Sequence, residues 1–476
     1  MFRSFGSSLI TLFIVLMAGF MLLFISKGSS DLAYERVPME NDKSNATYIA
    51  EFKAELQKTQ SELTDVASTD NQPMEDTPKA KGDGEKVVLW ISVPGFRGDL
   101  IEATDTPFFD RMKSEGGSTT KYRPNFPPLT YPGHMNLATG TTPEKHGITL
   151  DRIRNGAEVV DKPMDAALLT AEPIWTTATR QGIRTLVHDW PLSQNQSGEN
   201  AAAHFLTSYD PALTDQQRLD ALWEAWSNDK DEKKLRLLMV KLNGLSDAAL
   251  ANGPKEDGTL KAVSALDAAL GEFFKKIEEK WTEIGPPDGN LGVILTTDHG
   301  MVSLEKNINL RQLLGEDLGK HLDIVAHDAI GHLYFKDMPE NEGQKTLLIK
   351  QLDDELKKRI YFRTLKPEEL PADWGYNVPG RIGDRVLVLK TGYAFTDHEA
   401  AEPVFDPSET STFSAFGFPV EDSIRMSGQA IIWGWPNSPA SGDLGEIGSQ
   451  SFHATVCKML GIQPAAGAVT DTLPVN

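Results

Sequence analysis

One cysteine in 476 residues, Cys457, excludes an intramolecular disulfide, so the fold must rest on its core rather than on covalent staples. Because "SFHATVCKMLGI" reads as an amphipathic helix, Cys457 is expected as a core thiol rather than a nucleophile. Positive charge is short as well. Lys and Arg number 47 against 68 Asp and Glu, a formal net charge of -21, and no Lys/Arg-dense block stands out. Nucleic acid is therefore excluded as a partner, since phosphate binding needs a basic face. No internal repeat is evident. What is plentiful is apolar content, at 40% enough to fill a sizeable core.

The sequence has one long uncharged apolar run, "SSLITLFIVLMAGFMLLFIS", from Ser7 to Ser26. It matches the roughly 20 residues needed to cross a bilayer. It is too long for a typical secretory core and no A-x-A-like site follows it. Behind a short tail of residues 1–6, the segment 7–26 reads as an uncleaved signal anchor, a cleaved signal peptide being the alternative. Arg3 and the amino group precede it, and Lys27 follows near Asp31 and Glu35, a slight bias toward N-terminus-inside. Single-pass membrane attachment through this helix would place the rest of the chain outside the cytoplasm, in a periplasmic or extracellular space.

Residues 27–86 form a polar linker whose end, "STDNQPMEDTPKAKGDGEK", cannot bury enough apolar surface to fold alone. Within it, Ile49, Phe52, Leu56, Leu63 and Val66 keep a 3-4 spacing that predicts an amphipathic helix over 47–67. Two readings stand for it: a helix lying on the main domain or only partly formed, and a short self-associating stalk through residues 49–66. From Val87 to the end, read as one domain, "VVLWIS", "RTLVHDW", "LRLLMVKL", "LGVILTT", "DRVLVLK" and "QAIIWGW" alternate with helical stretches at 107–115, 173–182, 212–227, 258–281, 343–358 and 451–461. Such continuously apolar strands predict an α/β fold with a doubly covered, mostly parallel sheet. A ligand site in such a fold lies at the carboxyl ends of the strands.

Three polar clusters fall where that site would be. "VPGFRGD" leaves the first strand. "FPPLTYPGHMNLATGTTPEKHGI" holds Thr130 among prolines, with His134 and His146 behind it. "LTTDHGM" puts Asp298 and His299 at a strand end. Carboxylate oxygen and imidazole nitrogen both suit zinc, so an Asp-His pair there points to a cation site. By itself it also describes an ordinary turn with satisfied hydrogen bonds.

Taken together and in this order, the clusters resemble the nucleotide pyrophosphatase/phosphodiesterase branch of the alkaline phosphatase superfamily. "TPFFDRMKSEGG", "EPIWTTATRQG", "HDWP", "GPKEDGTLKAVSALDAALGEFF", "RIGDRVLVL" and "FHATVCKMLGIQPAAG" extend the resemblance over nearly all of residues 87–476. The resemblance implies the alkaline phosphatase type of sheet, a threonine nucleophile matched by Thr130, and two zinc ions with three protein ligands each. Asp298 and His299 match two of those ligands. At the other four ligand positions stand Pro94, Ser246, Leu250 and Phe416, none of which binds zinc. Asp247 lies one residue from the Ser246 position, but no histidine occurs between His204 and His299 to complete a slipped pair. Gly133 stands where the family has an Asn that helps hold the developing phosphoryl charge.

Four of six ligands are thus lost, and the two-zinc reaction with them. The expectation is a pseudoenzyme that binds or scaffolds, with no cofactor, or at most one weakly held divalent ion such as zinc. The alternative is a weak phosphodiesterase using a single metal held by Asp298 and His299, with Thr130 as nucleophile; otherwise Thr130 is a hydroxyl at a helix start. His134 and His146 stand where the family also has histidines and are read as structural. His398, beside Asp397, is the candidate for a relocated ligand, against a plain surface histidine. The sequons at Asn45 and Asn195 carry no weight.

Overall fold

The computed structural model describes residues 85–475 apart from 157, 165, 195 and 207–209. The expected anchor at 7–26, the 47–67 helix and the sequon asparagines Asn45 and Asn195 lie outside the described residues. Among the described residues, no helix is long and apolar enough to cross a membrane.

Strand β1 (Lys86–Ser92) shows why its sequence is apolar without interruption. Val87, Leu89 and Ile91 enter one apolar cluster, while Val88 and Trp90 enter another on the opposite face. Both faces are covered, so both sets of alternating side chains must be apolar. β1 is central in a nine-stranded sheet that also contains β2 (Gly117–Arg123), β3 (Arg184–His188), β4 (Leu235–Lys241), β5 (Asn290–Thr296) and β6 (Gly428–Trp435). β1 runs parallel to β4 and β5, and β3 parallel to β4. β6 runs antiparallel to both β5 and β2, so the sheet is mixed toward that edge.

Helix α1 (Pro107–Glu115) starts on a proline, whose missing N–H is no loss in the first turn. Helix α2 (Thr130–Thr139) begins where Thr130 is read as a helix start but is absent from the predicted helical stretches, because Pro132 and Gly133 lower its propensity. Burial overrides propensity here, since Tyr131 through Thr139 are all buried. Helix α3 (Gly244–Asn252) is a second unforeseen element, following directly on β4. Helices α4 (Asp257–Ile284) and α5 (Ser451–Leu460) cover opposite faces of the sheet, with Phe274 in one cluster and Phe452 in the other. Cys457 of α5 is a buried free thiol, and burial pushes it up to about 12.

One strand expectation needs correction. "DRVLVLK" was placed with the sheet strands, but Arg385–Leu389 belongs to a separate four-stranded antiparallel sheet, between strands Ile330–Phe335 and Phe362–Leu365. All five of its residues are buried. A fully buried run has the same apolar signature in either sheet, and periodicity cannot say which one it joins. This small sheet, with Leu129, Met301, Phe416 and Phe418, builds a third apolar cluster.

Candidate functional site

The carboxyl ends of β1, β3, β4 and β5 converge on one place, and each delivers a polar segment there. After β1 the chain turns through Val93-Pro94-Gly95-Phe96, with Phe96 N–H donating to the Val93 carbonyl at 3.3 Å and Gly95 at φ 74°. This is the proline-then-glycine pattern of a type II turn, so Pro94 fits its backbone well while offering no donor to a cation. The last residue of β1, Ser92, pairs through its hydroxyl with Nε2 of His134 at 2.8 Å.

His134 lies one turn into α2 and is fully buried. Its Nδ1 donates to the Thr130 carbonyl at 2.6 Å and lies 3.2 Å from Oδ2 of Asp298. It therefore ties the start of α2 to the end of β5. Thr130 opens the helix half-exposed, and the N-cap position before it is taken by Leu129, which makes no side-chain cap bond. The next backbone N–H, that of Tyr131, donates to Oδ1 of Asp151 at 2.7 Å.

Asp298 and His299 follow β5 and are completely shielded from solvent. Oδ1 of Asp298 accepts from the His299 backbone N–H at 3.0 Å, whereas Oδ2 has no hydrogen-bond partner. The His299 ring donates from Nδ1 to the Gly300 carbonyl at 2.8 Å and points its unpartnered Nε2 at Asp298 Oδ2, 3.4 Å away. Burial works to raise the Asp298 carboxyl, but His299 and His134 hold it below the usual carboxylate range. The backbone of Thr130 and the carboxylate of Asp298, with His299 beside it, are thus linked through His134, which the sequence reading takes as structural.

The remaining positions close this corner. Phe416 lies flat on His299, with ring centroids 4.0 Å apart and planes 4° from parallel. Leu250 packs against the same apolar cluster that holds Phe416. Its carbonyl accepts from the Phe413 backbone N–H at 2.7 Å, and the Ala249 carbonyl accepts from the Ser414 hydroxyl at 2.5 Å, fastening the end of α3 to the segment that carries Phe416. Ser246 is buried on α3, and Asp247 beside it faces outward. A Cβ built on Gly133 would lie 3.0 Å from Cβ and 3.1 Å from the carbonyl oxygen of Asp298, so α2 rests directly on the strand end.

These residues do not fit a pair of zinc ions. The Asp298 and His299 atoms facing each other are chemically suited to one cation, but Pro94 supplies no further donor and an apolar ring covers the imidazole. Among the described residues, no group of three or more His, Cys, Asp or Glu side chains is placed to share a metal ion.

The histidines away from this corner are accounted for locally. His146 bonds Oδ1 of Asn136 through Nε2 at 2.9 Å and accepts from the Ile148 N–H at 3.1 Å, and burial lowers it to about 3. His398 is exposed, with its ring 5.6 Å from Phe405, and Asp397 pairs with Arg152 at 2.6 Å.

Three charged groups at this edge went unread in the sequence. His327 has Asp328 at 2.9 Å from Nδ1 and Asp151 at 4.0 Å from Nε2. Burial opposes its charge, but the two carboxylates outweigh it and raise His327 to about 9. Asp189 follows β3 in a left-handed backbone conformation (φ 62°) and accepts from Nε of Arg218 at 2.7 Å, both side chains being buried. Lys241 ends β4 at 5% exposure. The signal for it was a lysine closing an otherwise apolar strand, "LRLLMVK".

The chain has relatives with this architecture. Residues 88–414 match the model of the type I phosphodiesterase/nucleotide pyrophosphatase family. An uncharacterized pyrophosphatase/phosphodiesterase of Schizosaccharomyces pombe is 23% identical over 65% of this chain and 64% of its own. Ectonucleotide pyrophosphatase/phosphodiesterase family member 1 of Mus musculus is 23% identical over 82% of this chain. The chain spans less than two thirds of the length of either, and only 42% of the mouse protein. Among solved structures, an inactive variant of murine ectonucleotide pyrophosphatase/phosphodiesterase 5 in complex with AMP superposes with a TM-score of 0.67 at 20% identity, covering 80% of this chain and 96% of that one. That likeness establishes the fold, and the family match extends through the segments that carry Thr130, Asp298 and His299: this chain belongs to the type I phosphodiesterase/nucleotide pyrophosphatase family of the alkaline phosphatase superfamily.

Proposed function

We propose that the chain is a membrane-anchored, extracytoplasmic member of its family that has given up the binuclear zinc reaction and acts by binding or scaffolding, through the old cleft or the domain surface. The observation that carries this reading is the Phe416 ring stacked at 4.0 Å on His299. That ring stands where the family resemblance puts a histidine ligand, and beside the imidazole it offers no donor to a metal. Thr130 then lacks the activator that makes a hydroxyl nucleophilic at neutral pH. The anchor rests on the uncharged run Ser7–Ser26.

The rival reading is a weak phosphodiesterase with one metal. It is favoured by a specific feature, the facing and unpartnered Asp298 Oδ2 and His299 Nε2. One experiment separates the two: zinc content of the purified full chain, with hydrolysis of an aryl phosphodiester by wild type and Thr130→Ala. The pseudoenzyme reading expects a background rate that is equal in both proteins. Metal-dependent turnover that disappears with Thr130 establishes the rival instead.

A further inference from the structure

The start of a helix suits an anion, because the N–H groups of its first turn lack partners within the helix and carry the positive end of its dipole. At the start of α2 few groups share that role. Leu129 at the cap position has no side-chain acceptor, Pro132 has no N–H, and the Gly133 N–H already donates to the Leu129 carbonyl at 2.8 Å. The Tyr131 N–H, next to Thr130, is met from another segment: Oδ1 of Asp151, the residue before strand Arg152–Asn155, accepts it at 2.7 Å. Asp151 is 4% exposed, and its other oxygen faces Nε2 of His327 at 4.0 Å. A circuit of contacts places it beside Thr130. From Asp151 it passes to His327, whose ring lies 6.3 Å from that of Phe416, then to His299, on which Phe416 stacks. It continues to Asp298 and returns through His134 to the Thr130 carbonyl.

The ligand such an N–H suits is a phosphoryl or other acidic oxygen, and a carboxylate of the chain itself already holds it. A second anion brought there meets like charge in a shielded corner, where repulsion is strong. We propose that the carboxylate of Asp151 is an internal anion seated at the start of α2, and that it makes the cleft beside Thr130 reject phosphate and phosphate esters. What this cleft takes is then neutral or cationic in the part that meets Thr130. Burial lifts the Asp151 carboxyl above its usual range, with the His327 imidazolium and the Tyr131 N–H working against that lift. The competing account is a plain helix cap, which depends on the acceptor oxygen and not on its charge. The assignment deepens the non-catalytic reading of the site and rests on it.

The test titrates inorganic phosphate into the full chain in detergent, with a chelator present and chloride balancing the ionic strength, and reads binding by calorimetry. Asp151→Asn keeps an oxygen for the Tyr131 N–H and removes the charge, so it is expected to bind phosphate at least about tenfold more tightly than wild type. Adding Thr130→Glu returns a carboxylate to the cleft and is expected to bring the affinity back to the wild-type value. Unchanged affinity in folded Asp151→Asn, which a cap alone predicts, overturns the proposal. So does a gain that survives Thr130→Glu, since it lies elsewhere on the molecule. Where Asp151→Asn is not recovered folded, Asp151→Ser is titrated in its place; if neither folds, the carboxylate is a structural cap and the proposal falls. Unchanged affinity with an inactive wild type removes only the Asp151 assignment, whereas metal-dependent turnover by wild type that requires Thr130 removes the reading beneath it.

Discussion

The two sides of this corner are built by opposite means. On the β5 side, Asp298, His299 and His134 remain, fully buried and held in a chain of polar contacts from Ser92 to the start of α2. On the α3 side, Leu250 and Phe416 have joined the apolar cluster of the small sheet. The polar half keeps charges that must be balanced from within the protein. The apolar half has no charge to balance and contributes dispersion and burial instead. On the non-catalytic reading proposed above, loss of a metal has two structural solutions here, side by side.

The comparison breaks most readily on its apolar side. Phe416→Ala removes a ring that is 6% exposed and uncovers His299, so it is expected to lower the unfolding free energy by about 3–5 kcal/mol. Denaturant unfolding checks this; a loss below about 1 kcal/mol would mean that the ring rests on the imidazole without sealing the corner.

A response to pH is expected from His327, which ends strand Leu322–His327 of the small sheet with its ring 6.3 Å from that of Phe416. His327 is raised to about 9 from an unfolded value near 6.5. Its contribution is therefore fully present below about pH 6.5 and is lost as pH rises through about 9. Because its side chain is 24% exposed, solvent screening reduces the effect to about 1–2 kcal/mol. Unfolding of the wild type across this window is expected to show that loss, and His327→Gln to flatten it. An equal slope in both proteins would remove His327 from the balance.

The smallest change expected is at Thr130. It is half-exposed, and the cap position before it belongs to Leu129, so Thr130→Ala is expected to alter stability by no more than about 0.5 kcal/mol. A loss several times larger would give the hydroxyl a structural part in joining the two halves.

How much of this was legible in the sequence follows from the kind of signal each part carries. β1, β4 and β5 were readable because burial on both faces forces an uninterrupted apolar run. Asp298 and His299 were readable because two polar residues interrupt such a run at its end. Arg385–Leu389 gave the same apolar signal and was placed in the wrong sheet, since pairing partners are a tertiary property. The extent of α2 beyond a helix start at Thr130, and α3 altogether, went unread because packing, not propensity, makes them helices. Lys241 and Asp189 were missed for a further reason. One charged residue at the edge of an apolar run looks like an ordinary strand boundary, and only the register across β1, β4 and β3 shows that these groups face a common interior.

The contact of α2 with the end of β5 also bears on whether such a site can be rebuilt. With no side chain at Gly133, the helix has settled within van der Waals distance of Asp298. An asparagine returned to that position meets backbone and Cβ before it meets any phosphoryl group. On the non-catalytic reading, restoring the four missing zinc donors would leave this contact in place. On that reading, a return to hydrolysis also needs the helix or the strand end to give by a few tenths of an ångström at Gly133, which makes the order of substitutions matter.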